Sequence, residues 1–204
     1  MNRYQRALLF SSYMWYFGEG LLGPLYAVFT QRIGGDILEL TGAYAFYLIV
    51  MGALSIYIGK FSDHHSKKSL LALGYGLNAV ATFGYLFVDS PLKLFFLQGL
   101  LGVASALATP TWNSLFSKYE NKKHMGEEWG LDDGGSEIIT GIAVLSGGLI
   151  ITYFSFTALF VLMGIIQIFA TFVLLHMFHL DKFSAPKQIL PEHLKEILFR
   201  VEKE

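Results

Sequence analysis

Six long apolar stretches, at 7–30, 41–59, 69–88, 92–116, 129–153 and 156–178, constrain this chain more than any other feature of its sequence. A helix needs about 20 apolar residues to cross roughly 30 Å of hydrocarbon, and within lipid every backbone amide and carbonyl must find its partner inside the protein. Each stretch therefore predicts one transmembrane helix, and the chain reads as an all-α, multi-pass membrane protein. Composition agrees, since 53% of the 204 residues are hydrophobic and only 15% carry charge, too apolar a balance for an ordinary soluble domain. Such long apolar runs exclude disorder and a coiled coil, and a net charge of −1 offers no surface for nucleic acid. Without cysteine the chain has no disulfide, no thiolate nucleophile and no cysteine-bound metal. The connections at 89–91 and 154–155 are short enough only for hairpins between antiparallel neighbours. The first stretch is too long for a cleavable signal sequence, contains Glu19 and lacks a small-residue cleavage site, so it reads as a retained span.

Lysine and arginine set the orientation. With the chain starting inside, Arg3, Arg6, Lys60, Lys67, Lys68, Lys118, Lys122, Lys123, Lys182, Lys187, Lys195, Arg200 and Lys203 fall on one side, against Arg32 and Lys93 on the other. Thirteen against two predicts both termini in the cytoplasm of a cell (plasma) membrane protein. Residues 1–180 form the six-helix unit, and 181–204 form a cytoplasmic tail. There Leu194, Ile197, Leu198 and Val201 recur at helical spacing and predict a short amphipathic helix lying on the bilayer.

Between the second and third spans the chain reads Gly59, Lys60, Phe61, Ser62, Asp63, His64, His65, Ser66, Lys67, Lys68. The positive-inside rule accounts for the lysines but not for a glycine and an aspartate four residues apart. This loop resembles the signature of the major facilitator superfamily: a glycine, an aspartate four positions on, and a closing basic pair. Gly59, Asp63, Lys67 and Lys68 match by position, whereas His64 replaces the usual arginine or lysine and Ser66 the usual glycine. The stretch from Gly18 through Gly23-Pro24 to Tyr26 is similar to the first helix of the family's drug exporters. Gly99, Gly102, Ala106, Ala108 and Pro110 are similar to its fourth helix. The fifth span carries Gly134, Gly141, Gly147 and Gly148 but lacks the glycine-proline pair of the proton-coupled drug antiporters.

The resemblance implies a gating loop at a cytoplasmic seam. Gly59 is expected to let two helix ends approach, Asp63 to sit against the positive end of a helix, and the lysines to bridge to carboxylates. Family members usually have two six-helix repeats with the substrate site between them. This chain resembles one repeat, the N-terminal half. A lone half would turn a polar cavity wall towards lipid, so the resemblance implies a second half, most economically a parallel homodimer whose pseudo-twofold becomes a true twofold. The same sequence also suits half of a longer or heterodimeric transporter, or a non-transporting membrane scaffold or regulatory subunit.

Polar residues inside apolar runs are the candidate site. Glu19 lies roughly 18 Å into the first span at 1.5 Å per residue, where a carboxylate costs about 2.5–3.5 kcal/mol on insertion scales. It is the first candidate for a proton or cation site, and in a homodimer it would occur twice around one cavity. The resemblance places the first and fourth helices along that cavity. Ser105, Thr109, Trp112 and Asn113 form one stripe on the fourth span, and Tyr13, Trp15, Tyr16 and Tyr26 add aromatic surface from the first, a lining suited to an amphipathic or lipophilic organic solute. Glu137 is a second intramembrane acid, one turn beyond Asp133. Asp132 and Asp133 read as near-surface residues that could latch onto Lys67 or Lys68 of a partner. Gly130 and Gly134 are expected to pack helices together. His176 and His179 stand one turn apart without a third ligand, which points to the interface rather than to metal. No phosphate loop, serine-histidine-acid set or zinc helix occurs, so the reading is a transporter that is no enzyme and carries no cofactor.

Overall fold

The computed structural model describes residues 1–184, with 180–184 described by backbone alone. The tail helix expected over 191–204 lies outside the described residues. Among the described residues the chain is helical throughout: α1 (Arg3–Leu22), α2 (Leu25–Arg32), α3 (Ile37–Ser62), α4 (Lys67–Gly84), a 3₁₀ turn (Tyr85–Phe87), α5 (Pro91–Tyr119), α6 (Met125–Tyr153) and α7 (Phe156–Ser184). Helices α3, α4 with its 3₁₀ turn, α5, α6 and α7 are each long and apolar enough to cross a bilayer. The first expected span is instead two helices. Gly23 takes φ +23°, a conformation that side chains disfavour, and Pro24 has no amide proton, so α1 ends there and α2 starts afresh.

Local chemistry marks the helix starts. Asn2 and Gln5 cap each other at the head of α1 (2.9 and 3.0 Å), and Asp36 and Glu39 do the same for α3 (both 2.9 Å). Ser66 Oγ accepts from the Ser69 amide to open α4. Pro91 occupies the first turn of α5, where its missing donor costs nothing.

Apart from α4 and α5, sequence neighbours are not the main packing neighbours. Helix α3 lies on α5, α5 on α4, α4 on α7, α7 on α1 and α1 on α6, which gives an arc with α3 and α6 at its two ends. The expected α6–α7 hairpin does form through Phe154 and Ser155, but α1 is wedged between its arms. The physical reason is backbone proximity: at Gly147 of α6 a β-carbon would overlap the Leu21 carbonyl of α1, so only glycine lets the two helices come this close. Burial follows the arc. Half of the apolar stretch of α4 and of α5 is buried, against 6% for α3 and 11% for α6, which leaves the two end helices as the unpartnered flanks.

Two apolar cores fill the interior. One joins Leu21, Phe29, Tyr85, Leu94, Leu159 and Phe160, and the other joins Leu8, Leu71, Trp112, Phe116 and Leu174. On α1, α4 and α7 the residues that separate the two cores are Glu19, Asn78 and Gln167, so a polar layer crosses the bundle at the level where the apolar cores part. The Asn2 side-chain amide donates to the Tyr119 carbonyl at one end of the bundle along the helix axes (2.9 Å), and Arg32 stacks over Phe156 at the other (5.5 Å). Arg3, Lys67, Lys118 and Lys122 collect at the first end.

Candidate functional site

The polar layer opens onto a cleft lined by α1, α2, α3, α4 and α5, to which α6 adds Asp132 in the smaller of its two compartments. Its larger compartment, about 630 Å³, is lined by Glu19, Tyr26, Tyr44, Tyr47, Asn78 and Gln98 among others. A smaller compartment of about 160 Å³ continues from it, with Trp15, Tyr16, Tyr47 and Ser105 shared between the two. The boundary is marked by a hydrogen bond between Tyr47 Oη and Ser105 Oγ, 3.1 Å.

Glu19 faces the larger compartment and is held from behind. Asn78 Nδ2 on α4 and Gln167 Nε2 on α7 both donate to its Oε1, at 2.9 and 3.2 Å, and the same Gln167 nitrogen reaches the Trp15 carbonyl at 3.1 Å. Asn78 and Gln167 are fully buried. The close approach of α7 here depends on Gly18, where a β-carbon would come within 2.6 Å of Gln167 Nε2. Both donors are neutral, so the carboxyl is positioned without a countercharge, and its position survives a change of protonation better than an ion pair would.

The α5 stripe comes together as one wall. Ser105, Thr109, Trp112 and Asn113 all line the smaller compartment, Thr109 and Asn113 exposed and Trp112 buried. Trp112 is fixed by its indole N–H to the Leu8 carbonyl (3.4 Å) and by stacking on Phe116 (4.8 Å between centroids). Tyr26 lines the larger compartment beside Tyr44.

Asp132 is not the near-surface residue expected. It is 8% exposed, lines the smaller compartment, and its Oδ1 is buried without a hydrogen-bond partner. Depth along the helix suggested snorkelling, but the turn of α6 aims this side chain at α1, where Tyr13 Oη donates to the adjacent Leu131 carbonyl. Asp133 and Glu137 are exposed, and both lie within electrostatic reach of the Tyr16 hydroxyl.

The gating loop also differs from expectation in part. A β-carbon on Gly59 would meet nothing nearer than Pro110 at 4.0 Å, so no close helix approach depends on it within this chain. Asp63 is exposed at the end of α3 and pairs with Lys67 at 3.2 Å, one turn away. Lys68 sits over the Phe178 ring, 5.5 Å from its centroid. Gly130 and Gly134 pack against nothing: a β-carbon on either, or on Gly141 or Gly148, would enter open space, so this stripe of α6 faces outward.

Sequence reasoning missed Asn78, Gln167, Tyr47, Tyr75 and Gln98. The signal for the three amides, an uncharged polar residue in the middle of an apolar run, is the one that marks Ser105, Thr109 and Asn113 on the fourth span.

A family model described as Major Facilitator Superfamily matches residues 8–201. An uncharacterized MFS-type transporter, MJ1560 of Methanocaldococcus jannaschii, is 25% identical over 156 residues, covering 76% of this chain and 40% of that protein. The "Multi-drug resistance efflux pump PmrA homolog" of Lactococcus lactis is 30% identical over 124 residues, 58% of this chain and 31% of the relative. The uncharacterized MFS-type transporter YitZ of Bacillus subtilis is 19% identical over 145 residues, 71% of this chain and 88% of the relative. The chain thus spans about two fifths of the first of these relatives and most of the last.

Proposed function

This chain belongs to the major facilitator superfamily, and from that premise we propose that it is one half of a secondary transporter that moves a small organic solute by alternating access. The observation that carries the reading is the cleft of about 630 Å³ at the level of the polar layer, aromatic in lining and open on one side, with a carboxyl held in its wall by two neutral amides. Such a cavity suits a solute of mixed polarity, and a second half placed across its open side would enclose it. The second half in this proposal is another copy of the chain, parallel to the first. The nearly unburied end helices α3 and α6 and the outward glycine stripe Gly130, Gly134, Gly141 and Gly148 supply surface for it. The match to 88% of YitZ supports a stand-alone half, and the 40% coverage of MJ1560 favours the other reading, half of a longer chain.

In this mechanism the two halves rock about the cleft, and the Asp63 loop closes the cytoplasmic seam together with Lys67 and Lys68. Asp133, exposed on α6, is the partner we assign to that loop across the seam. A proton on Glu19 is the coupling ion. Protonation drives the exchange only if the two states bind the proton differently, which a cleft alternately wet and closed provides. The thirteen to two distribution of basic residues supports cytoplasmic termini, and in this reading the membrane is the plasma membrane.

Proteoliposomes with an imposed proton gradient test the reading. Solute flux that follows the gradient, and loses that dependence in Glu19→Gln while folding is retained, is the expected result. Coupling unchanged in Glu19→Gln removes Glu19 from the mechanism, and absence of any flux favours a scaffold or regulatory subunit.

A further inference from the structure

The geometry points to the smaller compartment as a site for the cationic head of an organic ammonium compound, seated against Asp132 between aromatic rings; this rests on the reading of the cleft as a solute pathway. Asp132 is nine-tenths buried, and its Oδ1 is out of water with no hydrogen bond. A carboxylate left so is unfavourable unless a cation joins it. Among the described residues nothing does so: neither compartment has a lysine, arginine or histidine in its lining, while each has one acid, Asp132 in the smaller and Glu19 in the larger. The cleft therefore selects positive charge and rejects anions.

The surrounding rings decide which kind of cation. Trp15 and Tyr75 stand 4.6 Å apart between centroids at 52°, forming a corner, and Trp112 of α5 adds a third ring to the lining. The Trp112 indole N–H is already used by the Leu8 carbonyl and one face of the ring is stacked on Phe116, so Trp112 lines the compartment as an aromatic ring rather than as a donor. Aromatic faces attract weakly hydrated organic cations. Hard metal ions instead need several oxygen ligands, and among the described residues no group of three or more histidines or acids is gathered to hold one. The volume of about 160 Å³ is close to that of a cavity of about 150 Å³ known to admit benzene, enough for a compact quaternary or tertiary ammonium. Because Trp15, Tyr16, Tyr47 and Ser105 line both compartments, the rest of the molecule extends past them towards Glu19 and Tyr26.

Calorimetric titration of the full chain in nanodiscs, with empty nanodiscs as blanks, tests this with choline and with its neutral isostere, in which carbon replaces the nitrogen. Saturable binding of choline at least about tenfold tighter than the isostere, a difference of about 1.4 kcal/mol, is expected. Asp132→Asn should erase that preference by lowering choline affinity alone. Equal binding of the two probes, binding of neither, competition by sodium as strong as by choline, or a preference that survives Asp132→Asn overturns the assignment. The first comparison needs no variant and stands if Asp132→Asn fails to fold. Choline binding without flux in proteoliposomes keeps the site and removes the transport reading, whereas flux of a neutral solute without choline binding removes the site alone.

Discussion

Three side chains on three helices meet at one carboxyl oxygen, and each contributes differently. Removing the Asn78 amide leaves part of Glu19 unsatisfied in a buried layer, and Asn78→Leu is expected to lower stability by about 1–3 kcal/mol in detergent unfolding. Glu19→Gln keeps an acceptor oxygen for Asn78 and Gln167, so its unfolding curve should shift by under about 1 kcal/mol while its coupling changes; the two measurements together separate structure from function. Glu19 could be read from sequence because a charge in the middle of an apolar run stands out. Its partners could not, because nothing in a linear chain states that positions 19, 78 and 167 share a level and a direction. Asp132 illustrates the same gap. Its distance from the helix start could be counted, but the side of α6 it occupies is set by how α6 rotates against α1, and that rotation is fixed by Gly147 and Leu21.

At the scale of elements, four of the six expected spans correspond to single helices that match or exceed the expected bounds by a few residues, and a fifth to α4 with its 3₁₀ turn, since hydrophobic length is what a bilayer selects. The break in the first was written as Gly23-Pro24, and the order of helices around the arc was not written at all. Of the two hairpins expected from short connections, α4 and α5 pack directly on each other, whereas α1 separates most of α6 from α7. Glycines on α6 divide accordingly. Gly147→Val forces α1 away from α6 and should cost about 1–3 kcal/mol by overpacking. Gly134→Leu enters open space within one chain, so the monomer should unfold as before; if the outward stripe meets a partner, the same change should shift the subunit count in nanodiscs from two to one, read by mass photometry. The exposed Asp63–Lys67 pair belongs to the class worth about 0.2–1 kcal/mol, so Asp63→Asn should leave stability almost unchanged and show its effect in flux.

For the whole molecule, the arc with two bare ends makes the oligomeric state the first quantity to know. Native mass spectrometry of the chain in nanodiscs should give a dimer. In that dimer, reversing Asp133 to lysine should weaken association, and reversing Lys68 to aspartate in the same chain should restore it; failure of the double reversal removes the assigned latch. A stable monomer would direct attention to a distinct second half. Because the chain has no cysteine, one cysteine on α3 and one on α6 can be introduced without a background, and the mass of the oxidised product tells whether the two end helices meet within a chain or between chains.

The position of α1 between α6 and α7 also bears on how the protein is made. Helix α1 carries Arg3, Arg6, Glu19 and the buried Ser11 and Ser12, and its main packing surfaces are α6 and α7, the two helices farthest from it along the described residues. At about 5–20 residues per second, the ribosome takes on the order of 5–20 s to travel the roughly 100 residues from the end of α1 to the start of α6. Throughout that interval α1 waits beside the translocon or in lipid with its polar layer uncovered. Nascent chains halted before α6 should therefore stay bound to insertion factors or be degraded, and those halted after α7 should not.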